Sequence, residues 1–278
     1  MRELFESHLE LNHYSETLQA LLTIIAISTL RVYAAFMVLP ATSDQVLQGR
    51  TSTGLCLVIG FFIAWGQPAH ALAGLTIPMV VAMLSKEALL GVLLGFALST
   101  VFWVAESAGT LVDNAAGFNS VQQTNPLSGQ QNTPVANLMS QLTITGFYML
   151  GGMLVCIGIL FESFRWWPAA ALVPPVGAAL ERFLAAQVEG YFAMAVKLAA
   201  PVLLIVVLID LAFGLLGKAA DKLEPQNLSQ PVKSGVATAL IALLVLAFFE
   251  QARPAISLQD MQAALQRWTQ QLSADAKP

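Results

Sequence analysis

The sequence predicts an all-α membrane protein built of kinked helical hairpins, and three observations predict it. Charged residues make up only 11% of the 278, against roughly 25% in soluble domains, too few to solvate the surface of a soluble globule this large. Residues of the AVILMFWYC set reach 56%, with a mean hydropathy of +0.69, and they gather in long runs. Several of those runs are short, bent by proline or glycine, or interrupted by a charge.

The elements follow in order. Thr17 to Leu39 is broken only by Arg31 and stops at Pro40; its 23 residues at about 1.5 Å each are enough to cross a hydrocarbon core of about 30 Å. A polar stretch from Ala41 to Thr53 follows. Gly54 to Trp65 and Ala69 to Leu84 are too short for comfortable spans. Gly66-Gln67-Pro68 separates them and Pro78 sits inside the second, so they read as a broken or kinked hairpin. Lys86-Glu87 interrupts the pattern before the apolar helix Ala88 to Ala105. Leu142 to Phe161 is the cleanest spanning candidate, followed by the interfacial cluster Trp166-Trp167-Pro168. Tyr191 to Leu216 carries Lys197 and Asp210, a polar turn covers Gly217 to Ser234, and the last run is Gly235 to Phe249. The tail from Glu250 places Leu258, Met261, Leu265 and Trp268 at helical spacing and is predicted to be amphipathic.

Charges inside such runs should face protein or water, or else snorkel to a helix end, and this applies to Arg31, Lys197 and Asp210. Lys218, Lys222 and Lys233 form the densest basic cluster and place their turn in the cytoplasm. The glutamate-rich N-terminus then fits the outer side. Its first 16 residues carry four glutamates and only Arg2, the opposite of a basic leader region, so the apolar runs themselves direct the chain into the membrane.

Composition excludes several functions. The 13 basic and 17 acidic residues give a net charge of -4 with no basic patch, so no nucleic acid is expected as a partner. His8, His13 and His70 lack ligand spacing, and there is no Cys-x-x-Cys, nucleophile elbow or glycine-rich phosphate loop. No enzymatic activity, metal or cofactor is therefore expected. Cys56 and Cys156 lie in apolar runs and are predicted to be buried and unpaired.

The middle of the chain carries the strongest pattern. Gly91, Gly95 and Ser99, four apart, form a small-residue stripe for close helix approach. Glu106, Gly109, Asp113 and Gly117 continue at spacings of three and four, which puts two carboxylates on one helical face. Such carboxylates suit either a proton relay or polar contacts between subunits. Gly117 to Pro134 then holds 18 residues without a charge, seven of them Asn or Gln, punctuated by Pro126 and Gly129. It cannot be a continuous helix. A neutral polar loop of this kind either faces the periplasm or lines and closes a water-filled path.

At these residues the chain resembles the T component of the type III secretion export gate, a family shared by virulence injectisomes and the flagellar export apparatus. The resemblance rests on Lys86-Glu87, Gly91, Gly95, Phe102-Trp103, Glu106, Gly109, Asp113-Asn114, Gly117, Asn125-Pro126-Leu127-Ser128-Gly129 and Asn137-Leu138. It recurs at Asp210, Pro225-Gln226-Asn227 and Pro231-Val232-Lys233-Ser234, and Trp103 with Asp113-Asn114 looks more like the injectisome branch. One departure is a short stretch from Pro225 to Pro231 with no aromatic after Asn227.

The resemblance implies a non-enzymatic gate subunit in the bacterial inner membrane, multi-pass, with much of the chain at the periplasmic level. It implies an R-like hairpin unit over 1–190, an S-like C-terminal hairpin over 191–250 and a tail over 251–278. The plug falls on 117–134, with Gly117, Phe118, Asn119, Gln122, Gln123, Asn125 and Pro126 as gate residues. Gly91, Gly95, Ser99 and Gly109 are expected to permit close helix contact. Lys86, Glu87, Glu106, Asp113, Lys197 and Asp210 are expected to make polar contacts between subunits, and Lys218, Lys222 and Lys233 to face the export switch protein, the U component. The implied partners are the R and S subunits, inner rod and needle subunits, the secreted polypeptide in transit and membrane lipid. The competing reading is an ion-coupled secondary transporter using Glu106, Asp113, Lys197 and Asp210, but no inverted repeat supports it.

Overall fold

The computed structural model describes residues 2–67, 75–118, 123–124, 131–172, 177–219 and 226–256. These residues form seven α-helices, a short 3-10 turn and one minimal two-stranded ladder, so the predicted all-α class holds. Helix α1 (Arg2–Val38) ends where the sequence predicts, at Pro40. Leu39 is extended (φ -77°, ψ 117°), the conformation that a following proline favours. The Thr42 hydroxyl donates to the carbonyls of Phe36 (2.6 Å) and Leu39 (3.0 Å), satisfying acceptors that the helix end leaves open. Helix α2 is Gly49–Trp65.

Two predicted interruptions are corrected by α3 (Ile77–Ala116), which runs unbroken for 40 residues. Pro78 is its second residue, where no intrahelical bond is lost, and the charges of Lys86-Glu87 are neutralised within the protein instead of stopping the helix. Residues 68–74 of the expected third run lie outside the described residues. A 40-residue helix spans about 60 Å, roughly twice a hydrocarbon core. It ends at Gly117, whose φ of 79° is a left-handed turn suited to glycine. Strands β1 (Gln123–Thr124) and β2 (Gln131–Asn132) pair antiparallel, Gln123 opposite Asn132.

The cleanest predicted span, Leu142 to Phe161, is also corrected. It is divided between α4 (Pro134–Met149) and α5 (Gly152–Trp166), bent by 73° at a break where Gly151 takes a φ of 76°. Helices α6 (Gly177–Ala219) and α7 (Gln226–Ile256) complete the fold. Of the predicted turn from Gly217 to Ser234, Gly217–Ala219 belong to α6 and Gln226–Ser234 to α7, so Lys218 lies in the last turn of α6 and Lys233 within α7, while 220–225 fall outside the described residues. Lys222 and the amphipathic positions Leu258, Met261, Leu265 and Trp268 fall outside the described residues, as does His70. Among the described residues three helices, Thr17–Val38, Ile77–Ala116 and Glu189–Ala219, are long and apolar enough to cross a membrane, or four if the bent pair counts as one span.

The chain divides into two compact units. The first comprises Met1–Leu98 and Cys156–Leu180. Here α1 meets α2 at Gly60, where an added Cβ would strike Thr29, and meets α3 at Gly91 and Gly95. A Cβ at Gly91 would collide with the Arg31 carbonyl, and one at Gly95 would stand 2.6 Å from the Ala35 carbonyl oxygen. Cys56 and Cys156 are buried and free, as predicted. The second unit comprises Ser99–Val155 and Glu181–Pro278. In it the Phe102 and Phe147 rings meet edge to face at 5.4 Å, and Gly109 of α3 brings the Ala136 backbone within contact of the helix. Ser99 is fully buried.

Candidate functional site

The first unit holds a buried ion cluster. Arg31 and Glu87 are 0% exposed and Lys86 is 9% exposed. Arg31 sits two turns before the end of α1 and Lys86-Glu87 on α3, and the glycine contacts at 91 and 95 bring these two backbones close enough for the side chains to meet. The Arg31 guanidinium donates through Nε and Nη2 to both oxygens of Glu87, Nη2 at 3.0 Å, in the bidentate fork that suits arginine. It also donates to Ser163 Oγ (3.1 Å) and the Trp167 carbonyl (3.0 Å), and lies 3.7 Å over the Phe164 ring. Lys86 Nζ sits 2.8 Å from Glu87 Oε1 and donates to the carbonyls of Ala169 and Ala171 at 2.9 Å and of Pro168 at 3.3 Å. The cluster has two cations and one carboxylate. The excess positive charge is met by carbonyl dipoles of the segment following α5.

Arg31 therefore does not snorkel, and Lys86 and Glu87, expected to contact other subunits, make their contacts within the chain. Trp167, part of the expected interfacial cluster, is half-buried, and its Nε1 donates to the Ala171 carbonyl (2.8 Å).

The second unit holds the ends of the neutral segment. Asp113, 0% exposed, accepts from the N–H groups of Val135 (2.9 Å) and Ala136 (3.0 Å). These are free donors of the first turn of α4, whose Thr133 cap makes no side-chain hydrogen bond to them. A carboxylate there is favoured by charge-assisted bonding and by the helix dipole. Two turns back on α3, Glu106 Oε1 accepts from Asn132 Nδ2 (2.7 Å). The face that carries Glu106, Gly109 and Asp113 thus binds residues 132–136 of the same chain, where contacts between subunits were expected. At the other end, the Ala116 carbonyl accepts from Gln230 Nε2 (2.7 Å) and Ser234 Oγ (3.1 Å), both on α7. The Gln230 side chain occupies the space where a Cβ on Gly117 would point.

The remaining predicted residues are dispersed. Asp210 of α6 is half-exposed and pairs with Lys233 of α7 at 2.7 Å, while Lys197 and Lys218 are exposed on α6. Phe118 is half-buried. Asn119, Gln122, Asn125 and Pro126 lie outside the described residues, and of Gln123 only the strand pairing is described. Among the described residues no group of three or more His, Cys, Asp or Glu is placed to hold a metal. Sequence reasoning missed Gln230 as a site residue and named Ser234 only within a motif. Their spacing of four on one helical face was the available signal.

Together, the long apolar helices and the buried charges partnered within the chain define a multi-pass helical membrane protein with a polar segment pinned at both ends. The family described as bacterial export proteins, family 1, matches residues 22–258. The Yop proteins translocation protein T of Yersinia pestis is 30% identical over 232 residues, 82% of this chain and 88% of that protein. The surface presentation of antigens protein SpaR of Salmonella typhimurium is 28% identical over 82% of this chain and 84% of its own length. The flagellar biosynthetic protein FliR of Escherichia coli K12 is 26% identical over 78% and 82%. The chain belongs to this family of type III secretion T components and their flagellar counterparts.

Proposed function

We propose that this chain is a subunit of the type III export gate in the bacterial inner membrane, of the injectisome kind. It assembles with the R and S subunits, and its segment 117–134 obstructs a passage for unfolded polypeptide. The export switch protein, rod and needle subunits and the cargo are the further partners of this reading. In it the chain keeps the divisions 1–190, 191–250 and 251–278. The names of its relatives, a translocation protein and a flagellar biosynthetic protein, support an export role. One observation carries the closing role: the neutral segment is fixed at both ends within one compact unit, by Glu106 and Asp113 after it and by Gln230 and Ser234 before it. A barrier needs such anchoring, because a segment held at one end swings with solvent. Its uncharged side chains would block water and ions without retaining cargo.

The length of α3 also supports placing part of the chain outside lipid, since a helix of about 60 Å overruns a bilayer core of about 30 Å. The transporter reading needs carboxylates open to a passing ion. Asp113 instead has its oxygens on two backbone N–H groups.

Two measurements test the proposal. Native mass spectrometry of the chain expressed with and without R and S subunits should give a discrete hetero-oligomer only with them. Replacing Phe118 with Asp should raise the flux of ions or small solutes through that assembly. A monomer or homo-oligomer indifferent to those partners would redirect attention to transport of a small solute.

A further inference from the structure

Helix α6 carries an exposed stripe with a lysine at each end. Lys197, Pro201, Leu204, Leu208, Leu211, Leu215 and Lys218 recur at alternating spacings of four and three, and every one is exposed. Val207 and Leu216 flank the stripe on opposite sides and are exposed as well. The apolar face therefore covers roughly half the helix circumference, wider than the narrow seam by which one helix packs on another.

Lys197 and Lys218 are 21 residues apart. At about 1.5 Å per residue their backbones are separated by about 31 Å, the thickness of one hydrocarbon core. Between them Asp210 is the only charge. It lies eight residues, about 12 Å, inward of Lys218, too deep for a short carboxylate side chain to reach a headgroup. Lys233 of α7 neutralises it at 2.7 Å. Among the described residues neither Lys197 nor Lys218 pairs with a carboxylate. Lipid supplies both halves of this pattern, phosphate at two levels and hydrocarbon between them. We propose that this face of α6 lies against membrane lipid, with Leu198 to Gly217 crossing the hydrocarbon core and the Lys197 and Lys218 side chains reaching the phosphates of opposite leaflets. This rests on the membrane placement proposed above and adds to it the depth of each residue. In this register the Asp210–Lys233 pair sits at hydrocarbon depth and cancels its own charge there.

The test uses the full chain in bacterial membranes with the R and S subunits present, and native mass spectrometry as the measure of assembly. Benzoylphenylalanine, a photoreactive side chain, replaces Leu204 in one variant and Leu211 in another. Irradiation is expected to attach phospholipid to both, seen as a mass increase on this chain. A protein adduct at either position, or the lack of a lipid adduct, overturns the inference. The register is read with Lys197→Cys, Leu208→Cys and Lys218→Cys and a membrane-impermeant maleimide, which needs a thiolate in water. Lys197→Cys and Lys218→Cys should label from opposite sides of the membrane, and any other pattern at those two positions would deny the span. Leu208→Cys should label no more than wild type, whose Cys56 and Cys156 are buried. Labelling above that background would put the stripe in water. A hetero-oligomer with protein adducts would leave the gate reading standing and refute this inference. Lipid adducts on a chain that ignores R and S would do the reverse.

Discussion

At residue scale, Glu87 is shared by Arg31 on one side and Lys86 on the other, with none of the three appreciably exposed. Removing the carboxylate leaves two cations buried together. Glu87→Met is therefore expected to cost about 3–5 kcal/mol, read as a lower thermal midpoint in detergent and less chain in the membrane. Arg31→Met/Glu87→Met removes the pair and leaves Lys86 on its carbonyls, so the double variant should be more stable than Glu87→Met alone. A double variant at least as unstable as the two single changes summed would show that the pair is not coupled. The sequence marked all three residues as charges needing partners. It did not couple Arg31 to Glu87, because periodicity relates neighbours along one helix and these residues are 56 apart. The spacing of Glu106 and Asp113 correctly placed two carboxylates on one face. What that face binds, residues 132–136, lay beyond a loop that no local pattern bridges.

At the scale of elements, glycines decide where helices touch and where they break. Gly91 and Gly158 both lie in helices, yet a Cβ at Gly91 would collide with the α1 backbone and one at Gly158 would meet open space. Gly91→Ala should thus destabilise by about 1–3 kcal/mol through overpacking. Gly158→Ala should be neutral or stabilise by up to about 1 kcal/mol. Gly151→Ala meets no atom either, but its φ of 76° imposes about 1–2 kcal/mol of backbone strain. Thermal unfolding of the three variants should order them Gly158→Ala, wild type, Gly151→Ala, with Gly91→Ala well below wild type. An unaffected Gly91→Ala variant would exclude the close α1–α3 contact. The same residues explain which elements were legible. Apolar runs located the helices and Pro40 located an end, but hydropathy carries no sign of φ. Gly151 therefore broke the span that looked cleanest. Conversely, Lys86-Glu87 looked like an interruption because its neutralising partner was invisible along the chain.

At the scale of the molecule, the apolar content that set the fold class reappears as an unpartnered surface. On α6, Ala195, Leu198, Ala199, Val202 and Val206 are buried at helical spacing, while Leu204, Val207, Leu208, Leu211 and Leu215 are each more than half exposed. In water such a face would be an aggregation liability; against lipid or another subunit it is the natural outer surface. The two environments of α6 give opposite expectations for a charge. At a water-facing position Leu208→Arg would be nearly neutral, within about 0.5 kcal/mol. At mid-helix in a bilayer it should cost about 2.5–3.5 kcal/mol of insertion, and against a partner subunit it would bury an unpaired cation. The expected result is a marked loss of membrane-integrated or assembled chain for Leu208→Arg and little change for Lys218→Arg, at an exposed position that already carries a positive charge. Quantifying the variant in the membrane fraction, and in the hetero-oligomer by native mass spectrometry, separates the two surroundings. Loss from the membrane indicates lipid, and normal insertion with failed assembly indicates a subunit. Wild-type levels in both would mean that this face of α6 meets water, contrary to a spanning role for a helix long and apolar enough to cross a membrane.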